Sequence, residues 1–374
     1  MKNWKRWLLA ILLTLVIAFV YYYINLPALN IHSAGFWCFV ILMVFVFAIV
    51  LSFRSVWKSG HVSFGKKGLD IQKGTMGPYR YLFYLGGVLL LIFLIGSVLS
   101  SPIINAKKYQ KLMQVEERDF TADIKEVDFN TIPLLDRDSA AILGSRKMGS
   151  MVDMVSQFEV ADDYTQINVS GKPVRVTPLM YASPIKWLTN QKNGIPAYIQ
   201  IDMTTQDTEC VKLTEGIKYS ESEMFNRYIW RHIRFRYPTY IFADQIFFEI
   251  DDEGTPYWIC PVKKFNIGLF GGVTVGRVVL CNAITGECTD YQADEVPTWV
   301  DKVYQAELLM QLYDYHGMLQ HGYLNSVLGQ RDCLQTTNGY NYIAMNDDVW
   351  VYSGVTSVSG DQSNVGVVLM NQRT

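Results

Sequence analysis

Six cysteines are among the residues of this sequence that could do chemistry. Cys210, Cys260, Cys281, Cys288 and Cys333 follow residue 104, and Cys38 lies in an apolar N-terminal run. If residues 257–265 and 276–282 pair as neighbouring strands, Cys260 falls near Cys281, and the next hairpin brings Cys288 near Cys281 as well. A disulfide would join Cys281 to Cys260 or to Cys288, and because five is odd, free thiols are an equal expectation. No Cys-x-x-Cys spacing of a zinc or redox site occurs. His316 and His321 are five apart and do not share the i, i+4 helix face that a metal site uses. His232 sits on an apolar face and reads as a hydrogen-bonded core residue. Neither a Gly-x-Ser-x-Gly elbow nor a Walker loop is present. No metal, cofactor or catalytic residue is therefore assigned.

Among charged groups, Asp136 and Asp138 precede a helix-like run over 139–155, where carboxylates favour the positive helix end. Arg227, Arg231 and Arg234 recur at spacings of four and three, which puts three guanidiniums on one helix face. That stripe reads either as a solvated face or as a contact for anionic lipid headgroups or an acidic partner.

The elements that must position these groups divide into two materials. Residues 1–104 hold nine Lys and Arg against one acid, Asp70, whereas residues 105–374 hold 24 basic and 34 acidic groups. The acidic part argues against nucleic acid, whose binding needs Lys and Arg on phosphates. Residues 7–24, 36–53 and 81–104 are apolar runs close to the ~20 residues that a helix needs to cross a bilayer. Tyr21, Tyr22 and Tyr23 stand where a cleaved signal would carry small residues, and they suit an interfacial belt. The leader and residues 54–80 carry the basic residues, so both are expected in the cytoplasm, with everything after residue 104 outside a plasma membrane crossed three times. No Asp, Glu, Lys, Arg or His lies within the runs, which removes most support for a transporter.

The soluble region reads as α+β with antiparallel sheets: residues 105–218 form a juxtamembrane helix and a small strand-rich module, 219–295 an α+β module, and 296–374 a second related module. Ser220 with Glu223 three residues on predicts a capped helix ending before Pro238. Strands are expected over 240–250, 257–265, 276–282 and 288–292. The helix, the meander and the turn Asn282-Ala283-Ile284-Thr285-Gly286-Glu287 resemble the PepSY-like family over about 75 residues, with Asn282 in place of the usual Asp. That resemblance implies a sheet wrapping one helix face, an extracytoplasmic setting, and binding or inhibition of partner proteins rather than catalysis. Residues 278–285 match 367–374 at five of eight positions, and Trp258 and Trp350 precede the two copies. Helical spacing over 299–315 supplies the second copy with a helix. Since that copy stops at Thr374 where the first turns back, the sequence suggests a truncated chain or a strand supplied by another chain.

The function expected is a membrane-anchored interaction or scaffold protein of the cell envelope, held by the lipid bilayer and binding a partner protein or wall component. The alternatives are an extracytoplasmic enzyme whose acids, such as Asp136, Asp251 and Asp347, converge in a cleft, or an accessory subunit of a membrane complex.

Overall fold

The structure, a computed structural model, describes residues 3–59, 61–65, 68–72, 80–119, 135–169, 171–345, 348–357 and 364–374. It divides into two compact units, residues 1–101 with Gly268–Gly271, and residues 102–267 with 272–374.

The first unit contains α1 (Asn3–Asn25), α2 (Ala34–Ser59), a hairpin of β1 (His61–Gly65) and β2 (Gly68–Gln72), and α3 (Arg80–Leu99). Three helical segments, Trp7–Asn25, Ala34–Ser52 and Arg80–Leu99, are long and apolar enough to cross a membrane. Their leucine-, valine- and phenylalanine-rich faces remain exposed, as lipid-facing helices require. Helix contacts are aromatic: Tyr21 stacks on Phe39 at 5.5 Å, and Phe45 meets Phe83 at 6.0 Å. A Cβ at Gly86 would lie 2.7 Å from the Phe45 ring, so this glycine permits the close approach of α2 and α3. Ser100 Oγ donates to Gly96 O at 2.7 Å and accepts from the Leu269 and Phe270 amides at 2.9 and 3.2 Å.

The second unit begins with α4 (Pro102–Gln110) and then builds three similar modules. The first has α5 (Arg137–Gly149), then β3 (Phe158–Val160), β4 (Thr165–Val169), β5 (Lys172–Tyr181), β6 (Ile195–Asp202) and β7 (Thr208–Ile217), with α6 (Pro184–Asn190) inserted before β6. The second has α7 (Ile229–Arg236) and β8 (Phe247–Ile250), β9 (Pro256–Ile267), β10 (Gly271–Asn282) and β11 (Cys288–Gln292). The third has α8 (Ala306–Met318), β12 (Leu334–Thr336), β13 (Asn341–Met345), β14 (Asp348–Ser357) and β15 (Asn364–Asn371). In each module a helix is followed by an antiparallel meander: β4-β5-β6-β7, β8-β9-β10-β11 and β13-β14-β15.

The correspondence holds hydrogen bond by hydrogen bond. Asn282 Oδ1 accepts from the Ile284 and Thr285 amides, Asp202 Oδ1 from Thr204 and Thr205, and Asn371 Oδ1 from Arg373 and Thr374. Gly286 at φ +76° and Gln206 at φ +64° occupy the same left-handed position. The amides of Met203, Ala283 and Gln372 donate to the carbonyls of Pro173, Pro256 and Val349. These bonds equate Pro256 with Val349 and therefore Trp258 with Val351, not with Trp350. The tryptophan match suggested by the sequence is one residue out of register, and a one-residue slip in a strand puts a side chain on the opposite face.

Apolar strand residues form a core running through the first two modules, from Leu135 to Cys288. Ile195, Ile199 and Ile201 on β6 are completely buried, each worth about 1.5–3 kcal/mol. A further cluster under α8 joins Ala306, Leu309 and Tyr313 to Val351, Val355 and Met370.

Two local expectations are corrected. Asp136 does cap α5, accepting from the Ser139 amide at 2.7 Å, but the capped helix from Ser220 does not form. Residues 225–227 make a single 3-10 turn and α7 starts only at Ile229, without a side-chain cap. Glu223 is instead buried, accepting from Tyr181 Oη and Trp187 Nε1, both at 2.8 Å. Those tertiary partners outweigh a local box, because an unsatisfied carboxylate would be costly there. The strand expected over 240–250 is also shorter, since β8 begins at Phe247.

Candidate functional site

A cleft of about 400 Å³ opens in the second unit where its three modules meet. Module one contributes Arg175 from β5, module two Phe247, Phe248 and Trp258, and module three Lys302, Glu307, Tyr340, Tyr342 and Gln372. Arg175 is 8% exposed and Lys302 6%, and among the described residues neither has a carboxylate within ion-pair distance. Arg175 Nε donates to Leu135 O at 3.2 Å, and burial lowers its pKa, yet guanidinium stays charged in proteins. The Lys302 ammonium lies 4.4 Å from the Tyr342 ring centroid and 5.5 Å from that of Phe247. Ring faces attract a cation but leave its hydrogen bonds unspent. The Oε1 of Gln372, another lining residue, is buried without a hydrogen-bond donor.

Buried acids behind the cleft fix Lys302 in place. Glu249 on β8 is completely buried and accepts the Asp301 and Lys302 amides at 3.0 and 2.9 Å. Asp301 Oδ2 accepts the Asn168 amide from β4 at 2.5 Å. One clasp thus ties all three modules together. Burial raises Glu249 to about 7, and burial with the neighbouring Glu249 carboxylate raises Asp301 to about 9. On the rim, Tyr340 Oη donates to Glu307 Oε1 at 2.6 Å and meets Tyr342 edge-on at 5.6 Å. The lining also includes the exposed Arg137, Asp163, Glu221 and Glu307, of which Arg137 and Asp163 pair with each other. Its two buried charges are the cations Arg175 and Lys302 among aromatic walls, which suits an anion carrying apolar or planar substituents.

A second constellation lies in module two. Cys281 on β10 pairs directly with Cys288 on β11, and the ligand atoms of His232, Cys281 and Cys288 all lie within 4.8 Å of one another. Asn282 N donates to Glu287 O at 2.8 Å, so the adjacent cysteine pair is the close, non-hydrogen-bonded kind. The His232 ring nitrogen Nε2 lies 2.7 Å from Gly286 O, and the ring stacks near Tyr219 with centroids 4.4 Å apart. Only glycine fits at 286, because its φ is positive and a Cβ would come within 2.4 Å of the Tyr219 ring. The hydrogen bond from Cys281, with help from His232, pulls Cys288 down to about 5, while the same bond and burial push Cys281 up. For His232, the lowering effect of burial is outweighed by hydrogen bonds to Cys288 and to the Gly286 carbonyl.

The structure thus places Cys288, rather than Cys260, opposite Cys281, and all three thiols are free. Cys260 is buried beside the pair, and burial raises its pKa. His232 is half-buried against a backbone carbonyl, as expected, but it also faces the thiols. The arginine stripe does not survive as a stripe. Arg227 precedes α7 and donates to Gln191 O at 2.5 Å, Arg231 donates to Phe225 O at 2.6 Å, and Arg234 is 8% exposed and donates to the carbonyl of Tyr240. A guanidinium so buried offers no headgroup contact, so Arg234 leaves the set. Of the acids weighed for catalysis, Asp136 caps α5 and Asp251 accepts from the Glu253 and Thr255 amides of its own turn. Neither lines the cleft, and Asp347 lies outside the described residues.

No family model, no curated protein and no solved structure matches the chain.

Proposed function

We propose that this chain is a plasma-membrane protein with a cytoplasmic N-terminus and an extracytoplasmic C-terminal region, in which PepSY-like modules bind an envelope partner through an anionic group. The partner is a protein carboxylate or an acidic wall component, seated in the cleft between Arg175 and Lys302. The observation that carries this reading is the pair of buried cations lining one cavity, each without a carboxylate in ion-pair contact among the described residues, with Asp136 acting on Arg175 and Glu249 and Asp301 on Lys302 only at longer range. Buried charges are ordinarily paired, and a partner's anion supplies the missing charge. Lys2, Lys5 and Arg6 at the N-terminal end and six Lys and Arg over 54–80, against an uncharged stretch over 27–35, support the orientation. The accessory-subunit alternative needs no change to the cleft, since a subunit contact through an acidic segment is the same chemistry.

Calorimetry on the full-length protein in detergent tests the binding. Phenyl phosphate and benzoate are expected to bind, and benzyl alcohol is not. Arg175→Met is expected to weaken the anions by at least about tenfold, or 1.4 kcal/mol. Equal affinity for the neutral alcohol, or anion affinity unchanged in Arg175→Met, contradicts the reading. A reporter at residue 374 that is reachable only from the cytosol overturns the orientation.

A further inference from the structure

We infer that His232, Cys281 and Cys288 form a binding site for one cuprous ion. The inference stands apart from the cleft and rests on module two alone. Two sulfurs and one imidazole converge within 4.8 Å, with Cys281 fully buried, Cys288 8% exposed and His232 half-buried. Their order in the fold is fixed by three restraints. The register pairs Cys281 with Cys288, the Asn282 turn presents Gly286 O, and that carbonyl holds His232 by Nε2 at 2.7 Å. The Gly286 carbonyl orders the imidazole ring beside the two sulfurs, as backbone carbonyls commonly orient ligating histidines.

Comparison with module one shows that the fold does not require these residues. The β6–β7 hairpin has the same turn and the same hydrogen bonds, and at the equivalent facing positions it carries Ile201 opposite Thr208. The thiol pair is an addition to a repeat that folds without it.

The ligand set selects the ion. Thiolates favour Cu(I) and Zn(II), and a closed zinc site takes four ligands, whereas the described cluster has three and includes no carboxylate. Three soft donors suit Cu(I). On binding, each thiol that still holds a proton releases it to solvent, Cu(I) keeps its oxidation state, and the bound unit carries one negative charge. Arg236, which acts electrostatically on both thiols, offsets that charge.

The test is anaerobic competition between full-length reduced protein and bathocuproine disulfonate, followed by the Cu(I)–thiolate ultraviolet absorption. One equivalent is expected to stay with the protein. Cys281→Ser or Cys288→Ser is expected to weaken retention by at least about 100-fold, and His232→Gln by about 10–100-fold. Cys333→Ser, whose thiol lies in module three, is expected to leave it unchanged. Thermal melting checks that each variant is folded, and His232→Gln, which leaves both strands intact, keeps the test decisive if a serine variant unfolds. The inference is overturned if the Cys281→Ser/Cys288→Ser double variant holds Cu(I) as wild type does. Tighter retention of Zn(II) than of Cu(I) overturns it too, as does a Cys281–Cys288 disulfide in non-reduced peptide maps of protein from native membranes.

Discussion

Lys302→Met is expected to make the protein more stable while it loses anion binding. An ammonium that is 6% exposed and lacks an ion pair among the described residues has surrendered most of its hydration. The Phe247 and Tyr342 faces return about 2 kcal/mol of that, against a desolvation penalty of several kcal/mol. Methionine fills nearly the same volume among the same rings without a charge. Urea denaturation of the full-length protein is expected to show a gain of about 1–3 kcal/mol, within the range found when buried charges are replaced by apolar groups. In the calorimetric assay the same variant is expected to lose about 2–5 kcal/mol of phenyl phosphate affinity, because the buried anion loses its partner. A destabilised variant with normal affinity would show that Lys302 serves the fold and not a ligand.

A second large effect concerns pH. Glu249 and Asp301 are held above the ordinary carboxylate range, to about 7 and about 9, chiefly by burial. The folded state therefore binds more protons than the unfolded chain once pH exceeds the usual carboxylate values. Their contribution to stability is complete below that range and is lost as pH rises through the folded values. While one extra proton is held, the loss runs at about 1.4 kcal/mol per pH unit. Denaturation midpoints measured from pH 5 to 9 are expected to fall steadily. In Asp301→Asn the amide oxygen still accepts the Asn168 amide, the second titrating group is gone, and the fall is expected to be much shallower. A midpoint that rises over this window, or an unchanged slope in Asp301→Asn, contradicts the role given to the two buried carboxyls.

The sequence shows some of these features plainly and hides others, for physical reasons. The three helices long and apolar enough to cross a membrane are readable because lipid demands long uncharged runs and little else satisfies that demand. The strands around 166–169, 174–178 and 198–203 are readable from β-branched residues between turn signals. Two of the three modules show in the Val-Val-Leu strands ending at Asn282 and Asn371. The first escapes notice because α6 interrupts it and its turn is Asp202-Met203-Thr204-Thr205-Gln206-Asp207, with Gln206 where the second has Gly286. Ser220 and Glu223 fit a capping box in sequence, but Tyr181 and Trp187 from module one claim the carboxylate. Neither chemical site could be found by spacing. His232 comes from a helix and the two thiols from a later hairpin, and Arg175 and Lys302 come from different modules. Facing strands did point to Cys281 and Cys288 as neighbours. Only the folded helix adds the imidazole.

Native mass spectrometry of the full-length chain, purified gently from its own membranes, is the sharpest test of the proposal that the cleft holds an anion presented by an envelope partner. Wild type is expected to carry a bound anionic molecule or acidic peptide that is absent from the Arg175→Met/Lys302→Met double variant, with both folded to the same melting criterion. An adduct identical in both, or wild type with no adduct and no affinity for added phenyl phosphate, would contradict an anion-binding role for the cleft.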